Sequence, residues 1–202
     1  MHTHLTLENF FNEEVILENK RARLTPLKKN DHAVLMKIAF EPQLWEWGMS
    51  SIKNDAALST YIDVALQEKE NNISYPFLIY DKKLNCVAGS TRFGTISIPN
   101  KRLEIGWTWI HPMHQGSGLN KACKFLLLQF AFEKLMVNRV ELKTDLLNQQ
   151  SRKAIAKIGA TQEGIFRKHQ VTASGRERDS VFFSITYNEW PEIKTRIFSE
   201  YL

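Results

Sequence analysis

The stretch "PMHQGSGLNKA" at 112–122 runs without a break into "CKFLLLQFAFEKL", and this junction restricts the fold more than any other part of the chain. Gly116 and Gly118 free the backbone, so that successive N–H groups can point the same way. The apolar run behind them reads as a long helix whose first N–H groups have no intrahelical acceptor. With the positive end of the helix dipole added, the result is an anion site, most often occupied by phosphate. A glycine turn that enters a helix and binds nothing is the alternative, and the loop alone leaves both readings open.

The totals exclude several classes. At 202 residues the chain is expected to form one domain over 1–202, with 1–14 as a polar N-terminal extension. No apolar run approaches the ~20 residues that span a bilayer. "MHTHLTLENFF" lacks the basic and apolar regions of a secretory leader, so a cytoplasmic protein is expected. Cys86 and Cys123 are too few for a disulfide framework, and no metal-ligand spacing appears, so no metal is expected. A net charge of +5 permits polyanionic partners. The basic residues are scattered, however, so nucleic acid is the weaker reading.

No repeat, low-complexity tract or linker interrupts the chain. Residues 15–27 read as a first strand, 28–40 as a helix capped by Asn30 or Asp31 and stopped before Pro42, and 54–72 as a second helix. "YPFLIYD" (75–81), "CVAGSTRFGTISI" (86–98) and "KRLEIGWTWIH" (101–111) are three consecutive antiparallel strands. The loop and a helix to about Leu135 follow, then a strand at 138–145 and a helix at 148–159 with Asn148 as cap. A hairpin around "ASGR" completes the order β-α-α-β-β-β-α-β-α-β-β. The fold class is mixed α/β, with a central, mostly antiparallel sheet flanked by helices.

Two phosphate loops fail. No Gly-Lys-Ser/Thr occurs for a Walker loop, and a G-x-G-x-x-G fingerprint would need glycine where Lys121 stands. The stretch from "LEIGWTWIHPMHQGSGLNKACKFLLLQFAFEKL" to "NRVELKTDLLNQQSRKAIAKIGATQEGIFRKH" resembles the GNAT superfamily of acetyl-CoA-dependent N-acetyltransferases. Within it, the ribosomal-protein-alanine (RimJ/RimL-type) branch is most similar. The likeness covers about residues 15–190 and is most specific at 103–167. The family loop runs Gln/Arg-x-x-Gly-x-Gly/Ala; Gln115 and Gly118 match, and Asn120 departs from it.

The resemblance implies acetyl-CoA as cosubstrate and a GNAT acyltransferase fold. Backbone N–H groups of Gly116, Ser117, Gly118, Leu119 and Asn120 would hold the pyrophosphate, with Gln115 and Lys121 beside the phosphates. Trp109 and Ile110 would pair their backbone with pantetheine, and Asn148 and Ser151 would lie along its arm. From the residues alone, Asn148 as a helix cap, Ser151 as a first-turn residue and Lys121 as an exposed lysine remain open readings.

Acetyl transfer needs a free amine, a polarised carbonyl and a stabilised leaving thiolate. Alternation along "RLEIGWTWI" is expected to put Leu103, Ile105, Trp107 and Trp109 on one face and Glu104, Gly106 and Thr108 on the other. Glu104 is the candidate base, which desolvation would improve as a proton acceptor, with pairing to Arg92 as the structural alternative. Ser151 is the candidate donor to the thiolate, and N–H groups near Trp109 and Ile110 the candidate oxyanion donors. The amine attacks directly in a ternary complex, so Cys123 is expected to be inert. Freeing an α-amine at pH 7 costs about 1 kcal/mol and a lysine-type amine about 4.6 kcal/mol, which agrees with an α-amine as acceptor, either a protein or peptide N-terminus or a small molecule. Trp45 and Trp47 in "EPQLWEWGMSS" are candidate acceptor-lining residues, or loop packing. The competing functions are a non-catalytic CoA-binding module and a basic nucleic-acid-binding domain. Monomer and homodimer are both compatible with the sequence, and no membrane partner is expected.

Overall fold

Eight strands form a single sheet in the order β1-β2-β3-β4-β5-β6-β8-β7 in the computed structural model, which describes residues 5–202. The strands are β1 (Leu17–Glu18), β2 (Ala22–Pro26), β3 (Tyr75–Asp81), β4 (Cys86–Ser97), β5 (Arg102–Ile110), β6 (Arg139–Asp145), β7 (Thr161–Val171) and β8 (Glu177–Thr186). Every neighbouring pair is antiparallel except β5 with β6. The helices are α1 (His32–Leu35), α2 (Asp55–Glu70), α3 (Leu119–Glu133), α4 (Gln149–Lys157) and α5 (Trp190–Ile197). The mixed α/β class and its mostly antiparallel sheet are therefore as the sequence led us to expect.

Two apolar layers lie on opposite faces of the sheet. Leu103, Ile105 and Ile110 of β5 share one core with α3, α4 and α5, whereas Leu78 and Trp109 share the other with α1 and α2. Helix α3 is buried nearly all round, from Leu119 to Phe132. A helix that is apolar on every side must be covered on every side. The sheet covers one side of it. On the other, Trp190 stacks on Phe132 with ring centroids 5.6 Å apart, and Phe198 lies 5.5 Å from Phe125.

Three expectations need correction. Residues 15–27 do not form one strand; the chain turns between β1 and β2, which pair with each other. The helix expected over 28–40 is a 3-10 turn followed by the single turn α1, because only Leu35 and Ala39 of that stretch are fully buried and little packing holds it. The N-terminal extension is polar only in part. Residues 1–4 lie outside the described residues, but Leu7, Phe10, Phe11 and Val15 are buried, with Phe10 stacked on Tyr75 at 5.3 Å. Among the described residues no helix is long and apolar enough to cross a membrane.

Candidate active site

The sheet parts at one place. The parallel ladder between β5 and β6 holds only from Arg102 to Glu104, opposite Arg139 to Glu141. Beyond it β5 continues to Ile110 paired with β4 alone, and β6 continues to Asp145 paired with β8 alone. A bulge accompanies the parting: Trp107 has φ +49°, and the register with β4 shifts between Ser90 and Arg92. One extra residue in a strand reverses the facing of every side chain after it. Trp109 therefore does not share a face with Leu103 and Ile105. Its indole packs in the α2 layer, 5.4 Å from the Trp45 ring, and donates to Tyr61 Oη at 3.2 Å. Thr108 turns the other way, toward α3.

At the far end of β5 lies the glycine loop. Gly116 and Gly118 adopt φ +69° and +84°, and a Cβ at either would meet nothing within 4 Å. Among the described residues no acceptor faces the backbone N–H of Gly116, Ser117, Gly118, Asn120 or Lys121. That of Leu119 has only the Ser117 hydroxyl at 3.4 Å. Asn120 Oδ1 is buried without a partner. Such a set of donors at a helix start fits a pyrophosphate. The Gln115 side chain turns inward instead, donating to Ile110 O at 3.0 Å and accepting from Gln150 of α4 at 3.2 Å. It thereby ties the loop to the start of α4 across the parted strands. Lys121 pairs with Glu200 at 2.5 Å.

The loop rests on a network that the local sequence does not reveal. Asp81, fully buried at the end of β3, accepts from His114 Nδ1 at 2.7 Å and pairs with both ends of the Arg21 guanidinium. Burial alone would raise the Asp81 carboxyl, but Arg21, His114 and the Leu84 N–H hold it well below the usual carboxylate range. Arg21 also donates to Ser117 Oγ at 3.1 Å, which in turn donates to His114 O at 2.6 Å. His114 stands next to the loop in sequence, which was the only available hint.

Glu104 lies where the ladder ends and is 4% exposed. Its partner is not Arg92, which pairs with Glu68 at 3.0 Å. Instead Glu104 Oε2 accepts from Lys143 Nζ at 2.8 Å and Thr95 Oγ1 at 3.0 Å. Oε1 has no partner among the described residues. Trp107 covers this side of the sheet, with Arg92 and Lys143 each 5.9 Å from its ring. Gly94 makes this possible, since a Cβ there would fall 2.3 Å from the indole. His169 lies nearby on β7, bonded to Ser180 Oγ at 3.0 Å. Its pKa is lowered by burial first, then by Lys143 and Arg178.

The remaining candidates divide. Asn148 Oδ1 accepts from the Ser151 N–H at 2.9 Å, so that side chain caps α4. The half-buried Ser151 hydroxyl has no partner among the described residues. Trp45 is held by Ala39 O at 2.8 Å and packs against Tyr61 and Trp109. Trp47 stands apart from that cluster, facing Arg176 at 5.8 Å. Cys123 is buried and its thiol is pushed up to about 12, as expected of an inert group. Lys124 escaped sequence reading because its helical position looks like any other. It is 6% exposed, its ammonium donates to Thr108 Oγ1 at 3.0 Å, and burial lowers it to about 8.

The site thus combines an anion loop, a parted sheet edge and a buried carboxylate on the GNAT N-acetyltransferase fold. The chain belongs to this family, whose acetyltransferase (GNAT) domain model matches residues 21–161. A Bacillus subtilis protein named "Putative ribosomal N-acetyltransferase YdaF" is 27% identical over 178 residues, covering 86% of this chain and 94% of that one. A GCN5-related N-acetyltransferase from Brucella melitensis superposes with a TM-score of 0.85 at 28% identity, covering 93% and 85% of the two chains. RimJ of Mycobacterium smegmatis, solved with CoA-disulfide, has the same fold at a TM-score of 0.81 and 20% identity, over 93% of this chain and 95% of that one. The RimJ/RimL-type likeness read from the sequence is met.

Proposed function

We propose that the protein transfers the acetyl group of acetyl-CoA to a primary amine, the N-terminus of a protein or peptide, by direct attack within a ternary complex. The observation that carries this reading is the alignment along β5 of free loop N–H groups at one end and Glu104 at the other, with an unpaired strand edge between them. The name of the Bacillus subtilis relative supports a protein acceptor.

The unpaired N–H groups from Gly116 to Lys121 would hold the pyrophosphate, and the edge of β5 at Trp109 and Ile110, which β6 leaves unpaired, would meet the pantetheine amides once the Gln115 side chain gives up Ile110 O. When bound, acetyl-CoA supplies the activated acyl group. Glu104 Oε1, the free oxygen, accepts the amine proton directly or through a water, while Lys143 and Thr95 fix the carboxylate through Oε2. The unpartnered Ser151 hydroxyl would donate to the leaving sulfur.

The test is thermal unfolding with acetyl-CoA, with ATP and a short DNA duplex as controls, followed by transfer to peptides with free or blocked N-termini. At one hundred times its Kd a ligand adds about 2.7 kcal/mol. A shift confined to acetyl-CoA, with acetylation of free N-termini only, is expected. Stabilisation by DNA with indifference to acetyl-CoA refutes the reading.

A further inference from the structure

A buried guanidinium normally has a carboxylate, because an unpaired interior charge costs several kcal/mol. The buried Arg92 obeys and has Glu68; even the half-buried Arg102 and Arg139 have Glu141, and Arg176 has Asp145. Arg178, on β8, does not. It is 6% exposed, yet among the described residues its one hydrogen bond runs from Nη1 to Trp47 O at 3.5 Å, the limit for such a bond. Its Nε is buried with no partner among the described residues. The carboxylate of Asp145, on the neighbouring strand β6, is taken by Arg176 and by the Leu147 N–H.

The position of Arg178 says what the vacancy is for. Along β8, Val181, Phe183 and Ile185 face the α3 core, so Arg178 and Ser180 face the opposite side. That is the side of Glu104, Lys143 and Trp107, and Ser180 carries the His169 contact there. The charge of Glu104 reaches Arg178: burial lowers the arginine's pKa, and Asp145 and then Glu104 oppose the change. The Trp47 carbonyl that it touches belongs to the loop between α1 and α2. The other two cations of this face are each neutralised, Lys143 by Glu104 and Arg92 by Glu68, which leaves Arg178 as the guanidinium there without a carboxylate.

We infer that Arg178 is the acceptor-recognition residue of this enzyme and that the amine it acetylates carries a carboxylate, which docks on the vacant edge of the guanidinium. A planar carboxylate matches the Nε–Nη edge with two parallel hydrogen bonds, which an amide or a neutral side chain cannot supply. This rests on the proposed acetyl transfer. The carboxylate comes either from the acceptor's own α-carboxyl group, as in a free amino acid, or from an acidic side chain close to a peptide N-terminus.

The experiment compares matched acceptors under saturating acetyl-CoA: L-alanine against L-alaninamide, and Ala-Asp-Ala-amide against Ala-Asn-Ala-amide. The acidic member of at least one pair is expected to have a KM ten-fold or more below its neutral partner, and the pair that shows it identifies the source. In Arg178→Met that preference disappears through a rise in KM with kcat largely kept, and Arg178→Lys restores it only in part. The Met variant removes an unpaired interior charge, so its folding is not at risk. Equal KM values within both pairs, or a preference that survives Arg178→Met, overturn the inference. If no acceptor is acetylated, the proposed transfer fails on its own. The inference is then read from the thermal shift produced by N-acetyl-Ala-Asp-Ala-amide and by N-acetyl-L-alanine, each against its neutral counterpart, with CoA present. A carboxylate-specific shift lost in Arg178→Met sustains it, and its absence from the wild-type protein overturns it.

Discussion

Replacing Lys124 by methionine is expected to stabilise the protein, and by an amount that depends on pH. The ammonium sits inside α3 with a single hydroxyl, Thr108 Oγ1, as partner, and burial lowers it from 10.5 to about 8. That displacement corresponds to about 3 kcal/mol by which the fold disfavours the charged form. Below pH 8 the lysine is protonated in both folded and unfolded chains, so the penalty is present in full. Between 8 and 10.5 the unfolded chain binds more protons, stability rises with pH, and the penalty fades. Methionine has nearly the same length and no charge, and Thr108 keeps its bond to Thr91 at 2.8 Å. Urea unfolding of both proteins at pH 7 and pH 9 should show the variant ahead by about 3 kcal/mol at the lower pH. The gap should narrow by about 1 kcal/mol at the higher one. In melting temperature the gain at pH 7 is roughly 6–12 °C. The neighbouring Cys123 thiol works in the opposite sense above pH 9, but it is present in both proteins and cancels in the difference. A gap of the same size at both pH values, or a variant less stable at pH 7, would show that the ammonium is not held as described.

Three further outcomes follow from the same geometry. Glu104→Gln should lower kcat on the order of 10²- to 10³-fold while acetyl-CoA still raises the melting temperature; an unchanged rate removes Glu104 from the role of base. Gly118→Ala forces a side chain into φ +84° although space is free around it, so a loss of about 1 kcal/mol is expected from backbone strain alone, together with weaker acetyl-CoA binding measured by calorimetry. Trp190→Ala strips the outer cover from Phe132 and the Trp190 indole bond to Glu133 at 2.8 Å; a loss of about 3–5 kcal/mol in urea unfolding is expected, most of it recovered by Trp190→Phe.

Local chemistry made much of the frame legible. β3 runs over the residues read for it, Tyr75–Asp81, and Asn54 and Asn148 cap α2 and α4 as short polar side chains before helical runs do. The glycine loop stood out because two glycines before an apolar helix have few other uses. The bulge at Trp107 was not legible, because nothing in "IGWTW" announces an extra residue, and strict alternation therefore placed Trp109 on the wrong face. Helix α5 was missed because the element order ended at the hairpin, and nothing local in "WPEIKTRIF" shows that Phe125 and Phe132 need its cover. Lys143 beside Glu104, Asp81 beneath the loop and the vacancy at Arg178 are meetings of residues far apart in the chain. Only the register of the sheet brings them together.

The covering of α3 from its outer side also constrains the order of folding. When α3 leaves the ribosome, β1 to β5 already exist to receive its inner side. Phe125 and Phe132, however, wait for Trp190 and Phe198, which are made some sixty residues later. Until then a row of phenylalanines faces the cell. The nascent chain therefore carries an exposed adhesive strip for the synthesis of β6 through β8, and chaperone dependence or early aggregation would begin on the outer face of α3.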